Sequence, residues 1–354
     1  MITDADVTAC VERVADLCRI PSPSGYTAAV ESALAERIES MGLSVRRSRK
    51  RSLLCDLGGS GSPLVLAAHV DTLGAMVRSI KTNGRLRFTR IGGYPELYIV
   101  SETCRIHTRD GREYTGTFQP VNPAVHVNPK IGEYRPQEET IEVVVDLPVK
   151  NRDEVESHGI RVGDFISLDA RTTVTETGYL KSRHLDDKAS AGVLLTLASL
   201  VADGRLAPAR RVYLLFTTYE EVGHGGSSGI PEDVEEMISV DMGAVGDDLT
   251  ATEHQVSICA KDSGGPYDYH VTGALARAAE EADADYAIDI YPRYGSDVEA
   301  TLRAGFDIAH GLIGPGVSAS HGYERTHADA LENTLRLLER YIGTEPASAA
   351  REDR

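Results

Sequence analysis

Three apolar runs, each the length of one buried strand and each ending in acidic or imidazole side chains, constrain this chain most. Leu64-Val65-Leu66-Ala67-Ala68 leads into His69 and Asp71. Val212-Tyr213-Leu214-Leu215-Phe216 leads through Thr217, Thr218 and Tyr219 into Glu220 and Glu221, and Met237-Ile238-Ser239-Val240 leads into Asp241. Near-continuous apolar runs of this kind read as strands covered on both faces, as in parallel sheets. Ligands of open α/β sheets bind beyond the carboxyl ends of the strands, so these side chains would converge at one sheet edge. Leu185-Asp186-Asp187-Lys188, opening a small-residue helix, and Ser320-His321-Gly322 add further donors.

The rest of the chain alternates helix and strand on either side of a different texture. Thr3 can cap a helix carrying Val7, Cys10, Val11, Val14 and Leu17, and a second helix ends near Met41-Gly42. Helices are predicted over 189–202, 267–282, 297–304 and 328–341, with strands over 211–217, 237–240 and 288–291. From Gly74 to Gly178 the chain is short β-prone pieces punctuated by Gly, Pro and Asn, which predicts a small barrel or sandwich. The expected fold class is therefore α/β, a mixed and mostly parallel sheet sandwiched by helices, with an inserted β domain. Residues 1–73 and 178–345 would form one discontinuous domain and 74–177 the insertion. Residues 346–354 read as a flexible tail.

The 354 residues carry a formal net charge of −17, which argues against nucleic-acid binding, since that needs basic surface. No apolar stretch is long enough for a bilayer and the N-terminus lacks a signal-peptide pattern, so no membrane partner is expected. Five scattered cysteines, none in a C-x-x-C pair, fit a reducing cytoplasm.

Singly, each polar group at the strand ends has a bland explanation. His69 and Asp71 lie two apart on extended chain and share a face, so His69 can bind a metal while Asp71 holds its other ring nitrogen. Asp186 or Asp187 can cap a helix, or Asp186 can bridge two ions; the residues leave this open. Of Glu220 and Glu221, one carboxylate can coordinate while its neighbour stays free as a base. Together, two histidines and several carboxylates suit two divalent ions, zinc foremost, with cobalt or manganese compatible. His184, His254 and His327 read as structural, and His224-Gly225-Gly226 as a turn near the site.

His69-Val70-Asp71, Leu185-Asp186-Asp187-Lys188, Glu220-Glu221-Val222-Gly223, Asp241-Met242-Gly243 and His321 follow the order of the two-zinc aminopeptidases and deacylases. With Pro23-Ser24-Gly25-Tyr26, Val145-Asp146, Gly159 to Asp164 and Gly295-Ser296-Asp297, the chain most resembles the M42 family of glutamyl and deblocking aminopeptidases. The insertion falls between the His-x-Asp strand and the Asp-Asp helix, as in that family and unlike M20 peptidases. The resemblance implies one metal on His69, Asp186 and Asp241, a second on Asp186, Glu221 and His321, Glu220 as general base, and Asp71 behind His69. It also implies that the insertion is a small PDZ-like barrel for dimerisation, and that dimers build a homo-oligomer as large as a tetrahedral dodecamer. Short peptides are the implied substrates. The stretch from Ser320 to His327 departs from the family's usual His-Ser/Thr-Pro-x-Glu, which keeps a second substrate class open, small N-acyl amides. A metal-independent glycosidase is the remaining alternative.

Overall fold

The computed structural model describes residues 2–343, so the expected tail lies outside the described residues. A mixed sheet forms the centre of the molecule. Its main path runs Val45–Arg47, Leu53–Gly58, Val212–Thr217, Leu64–His69, Glu236–Val240, Ala309–Val317, Val256–Lys261 and Tyr286–Ile290, and Gly243–Ala244 pairs alongside Ala309–Val317. The middle four strands are mutually parallel. Both faces are covered. Leu64, Leu66 and Ala68 join a core with the helices Asp4–Cys18, Ala28–Ser40, Leu185–Ala202, Tyr269–Glu281 and Ala328–Ile342. Val65 and Ala67 join a second core with Val298 of the helix Asp297–Arg303. Alternate side chains of one strand thus enter two cores, which is why its sequence is apolar throughout.

The helices begin where local chemistry dictates. Thr3 and Asp6 form a reciprocal capping box at the first helix. Asp268 accepts from the backbone N–H of His270 and Val271, so the helix predicted from Tyr267 starts at Tyr269. The helix Leu185–Ala202 is buried nearly all round, and a Cβ on its Gly192 would lie 2.4 Å from Val14 Cγ2, so glycine sets how closely the first helix approaches.

Between Leu73 and Leu168 the chain builds a closed antiparallel barrel of six strands, Gly74–Ile80, Leu86–Ile91, Ile141–Val145, Glu113–Pro120, Thr103–His107 and Phe165–Leu168, around its own core. Phe88 and Phe118 meet edge to face inside it, with ring centroids 4.9 Å apart. A three-stranded sheet, Thr173–Val174, Tyr179–Ser182 and Glu324–His327, follows it. Among the described residues no helix is long and apolar enough to cross a membrane.

Two long strands of the central sheet, Val256–Lys261 and Ala309–Val317, were not expected, nor were the short strand Gly243–Ala244 and the three-stranded sheet. Ala309–Val317 is central, yet its sequence Ala-His-Gly-Leu-Ile-Gly-Pro-Gly-Val reads as loop. Its glycines are there for close approach: a Cβ on Gly314 would sit 1.5 Å from the backbone oxygen of Asp241, and one on Gly316 2.0 Å from that of Thr252. Gly314→Ala is therefore expected to cost about 3 kcal/mol or more, at or above the top of the usual overpacking range. It should also dislodge Asp241 from the site. Urea unfolding checks this, and an unchanged midpoint would contradict it.

Candidate active site

Every side chain singled out at a strand end reaches one cleft of about 510 Å³ or lies directly beneath it. Asp186, Glu220, Glu221, Asp241 and His321 line the cleft, together with Gly93, Pro95 and Tyr98 of the insertion and Arg293, Tyr294 and Arg303 from the opposite rim. His69 and Asp71 lie below them, 2% and 0% exposed. Three turns that aim these groups pass through a left-handed backbone conformation on non-glycine residues: His184 (φ 70°), Tyr219 (φ 68°) and His321 (φ 63°). Such conformations persist only where the surroundings enforce them, and here each lies at or just before a site carboxylate or imidazole.

The Leu185–Ala202 segment is not regular at its start. Asp186 and Asp187 have non-helical dihedrals and are joined by a cis peptide bond. Neither carboxylate caps the helix. Asp187, fully buried, accepts the backbone N–H of His69 at 3.2 Å. Asp186 faces the cleft, with Oδ1 2.9 Å from His69 Nε2 and Oδ2 3.3 Å from His321 Nε2. Its own N–H donates to Glu324 Oε2 at 3.1 Å, and the N–H of His321 donates to Glu324 Oε1 at 2.9 Å. Glu324 thus ties the backbone of Asp186 to that of His321, an orienting role that the spacing from His321 did not disclose.

The tautomers follow from the partners. His69 Nδ1 lies 3.0 Å from the backbone oxygen of Asp71, and His321 Nδ1 contacts the backbone oxygen of Gly93. A carbonyl only accepts, so each Nδ1 carries a proton and each ring turns Nε2 toward Asp186. Although burial opposes it, the facing Asp186 carboxylate holds both imidazoles above their ordinary value, His321 at about 10. The Asp71 carboxylate was expected behind His69, but it stands 3.7 Å off. It is taken up by the hydroxyl of Ser24 and by the backbone N–H of Glu220, the latter at 3.2 Å. Asp71 consequently holds the turn that carries Glu220, and its backbone oxygen holds His69.

Between each Nε2 and the facing carboxylate oxygen sits a positive charge, a proton on the ring or a metal ion in its place. The same need for positive charge is written across the site. Burial, with the charge of Asp186, raises Asp241 to about 7, and burial pushes Glu220 and Glu221 well above the ordinary carboxylate range. Burial raises Asp297 to about 6. Asp186 is the exception, because its two imidazoles outweigh burial and hold it low. Buried oxygens of Asp187 (Oδ1), Glu221 (Oε1) and Asp297 (Oδ1) have no hydrogen-bond partner. Donor atoms of His69, Asp186 and Glu221 lie within 4.8 Å of one another, as do those of His69, Asp187 and Asp241. Carboxylates in excess, imidazoles with fixed tautomers and orphaned oxygens suit divalent cations with nitrogen and oxygen shells.

Residues 52–337 match the family model of the M42 glutamyl aminopeptidases. The chain is 42% identical over 334 residues to the putative aminopeptidase YhfE of Bacillus subtilis (strain 168), covering 94% of this chain and 96% of that protein. Among solved structures, aminopeptidase APDkam598 of the archaeon Desulfurococcus kamchatkensis superposes with a TM-score of 0.87 at 23% identity, covering 98% of each chain. The TET1 peptidase of Pyrococcus horikoshii, which can assemble into a tetrahedron or a large octahedral shell, gives 0.82 at 20% identity, over 94% of this chain and 98% of that one. These two likenesses establish the shared fold. M42 aminopeptidases are metal-dependent enzymes, and the donors gathered around Asp186 are of the kind such a centre uses. With its family model matched over most of its length, the chain belongs to the M42 family of aminopeptidases and is a hydrolase of peptide bonds.

Proposed function

We propose that this enzyme removes N-terminal residues from short peptides with two divalent metal ions, zinc foremost, and with Glu220 as general base. The observation that carries this reading is the Asp186 carboxylate, with one oxygen toward each of two imidazoles whose other nitrogens are tied to carbonyls. His69, Asp186 and Asp241 would hold one ion, and Asp186, Glu221 and His321 the other. When bound, the ions supply Lewis acidity, lowering the pKa of water and polarising the scissile carbonyl. Glu220 lines the cleft with its backbone N–H anchored on Asp71, and it accepts the proton of the attacking water. It then returns that proton to the leaving amine.

The test is metal analysis of the purified enzyme together with a substrate panel. Chelation should abolish turnover of aminoacyl amides and short peptides, and zinc or cobalt should restore it. Turnover of N-acyl amino acids in preference to aminoacyl amides would overturn the peptide reading, and activity unaffected by a chelator would overturn the metal reading.

Assembly through the insertion belongs to the same proposal. The TET1 peptidase with this fold assembles into shells, and Val125 and Val127 of the insertion are 63% and 71% exposed. Contiguous exposed apolar surface marks contact sites, and in this proposal the two neighbouring valines belong to one. Light scattering should report a homo-oligomer as large as a dodecamer, and Val125→Asp with Val127→Asp should shift it to a smaller species. A monomeric wild type would count against this.

A further inference from the structure

A second set of imidazoles converges beside the three-stranded sheet. His254 sits in the turn before Val256–Lys261, while His327 ends the strand Glu324–His327 and Asp329 lies in the first turn of the helix that follows. Nδ1 of His254 is 2.8 Å from Asp329 Oδ2, and Nδ1 of His327 is 3.1 Å from the same oxygen. The two rings lie 4.3 Å apart between centroids.

The far nitrogens have oxygen partners as well. His327 Nε2 is 2.7 Å from the backbone oxygen of Thr177, so it carries the proton and leaves a lone pair on Nδ1. That lone pair accepts the N–H of Asp329 at 3.1 Å, capping the helix, and also confronts the Asp329 carboxylate. His254 Nε2 is 3.2 Å from the hydroxyl of Tyr179. Hydrogen-bonding the outer nitrogen while the inner one faces a carboxylate is how proteins prepare imidazoles for metal.

We propose that His254, His327 and Asp329 bind a divalent transition-metal ion, zinc by preference, at a site separate from the catalytic cleft. Two imidazoles and one carboxylate with an open fourth position form a known three-ligand zinc set. With zinc–ligand bonds of about 2.0–2.1 Å, tetrahedral donors stand roughly 3.3 Å apart; His327 Nδ1 exchanges the hydrogen bond it accepts from the N–H of Asp329 for the ion, and small movements of the side chains then complete the set. The side chains of His254 and Asp329 are 41% and 53% exposed, so an ion enters from solvent without opening the core. Arg325, the cation stacked on Tyr179, pairs with Glu253. A bound ion joins three segments that are distant in sequence: the turn at His254, the start of the last helix and, through Tyr179 and Thr177, the hairpin of the small sheet.

The experiment compares wild type, His254→Ala and Asp329→Asn, each stripped with a chelator, reloaded with zinc chloride, dialysed and analysed for zinc and for Tm. Asp329→Asn keeps the backbone N–H that His327 caps, so it serves if His254→Ala fails to fold. Each variant should hold one zinc fewer per chain than wild type and lose that part of the zinc-dependent rise in Tm. In an Asp186→Ala background, where the cleft donors are broken, the equivalent held by His254 should remain and should disappear on adding Asp329→Asn. Equal zinc content and equal Tm response in wild type and both variants would overturn the proposal, as would a zinc-free Asp186→Ala protein.

Discussion

Glu220→Gln is expected to lower kcat by about 10²–10⁴-fold, the range that a positioned general base contributes, while both metal ions stay bound. The substitution preserves shape, and the backbone N–H of residue 220 still donates to Asp71, so the turn that starts at Tyr219 keeps its path. What disappears is an oxygen able to take a proton. Burial, with the charges of Asp241, Asp297 and Glu221, pushes Glu220 above the ordinary carboxylate range, and bound cations beside it would restore the ionised form that accepts a proton. Single-turnover rates and metal content measured on one preparation check this. A variant turning over near the wild-type rate would remove Glu220 from the mechanism, and loss of metal would make it a ligand instead.

Asp186→Ala should have the larger effect, releasing both ions together and taking activity to background. Among the described residues Asp186 is the one carboxylate whose two oxygens each face a different imidazole, so its loss touches both halves of the site. Its removal also leaves two buried or half-buried imidazole nitrogens without a partner. Asp187→Ala is the control: it removes the acceptor for the backbone N–H of His69 beneath the cleft and should disturb the strand end without emptying both positions. Full metal content in Asp186→Ala would transfer the bridging role to Asp187.

Much of this was legible because buried parallel strands must be apolar along their whole length, so polar groups at their ends stand out. Leu64 to Ala68 before His69 and Val212 to Phe216 before Glu220 are the plainest instances. The strand Ala309–Val317 was illegible for a physical reason. Where Gly314 passes Asp241 and Gly316 passes Thr252 there is no room for side chains, and glycine-rich chain reads as loop. The division of labour between Asp186 and Asp187 was equally hidden, because their irregular backbone decides which carboxylate sees the cleft. The role of Glu324 depends on two backbone N–H groups that are far apart in sequence. Nor could His254 and His327 be paired from sequence, since the fold alone brings them together.

His321 donates a hydrogen bond from Nδ1 to the backbone oxygen of Gly93, and Arg183 reaches from beside the Asp-Asp turn to the backbone oxygen of Tyr98. Gly93 and Tyr98 belong to the insertion. The barrel is therefore a wall of the reaction chamber and the clamp on one of its imidazoles. A shortened chain lacking it would leave that ring without its acceptor, and a displacement of the barrel would reach the catalytic centre directly through the hydrogen bond at His321.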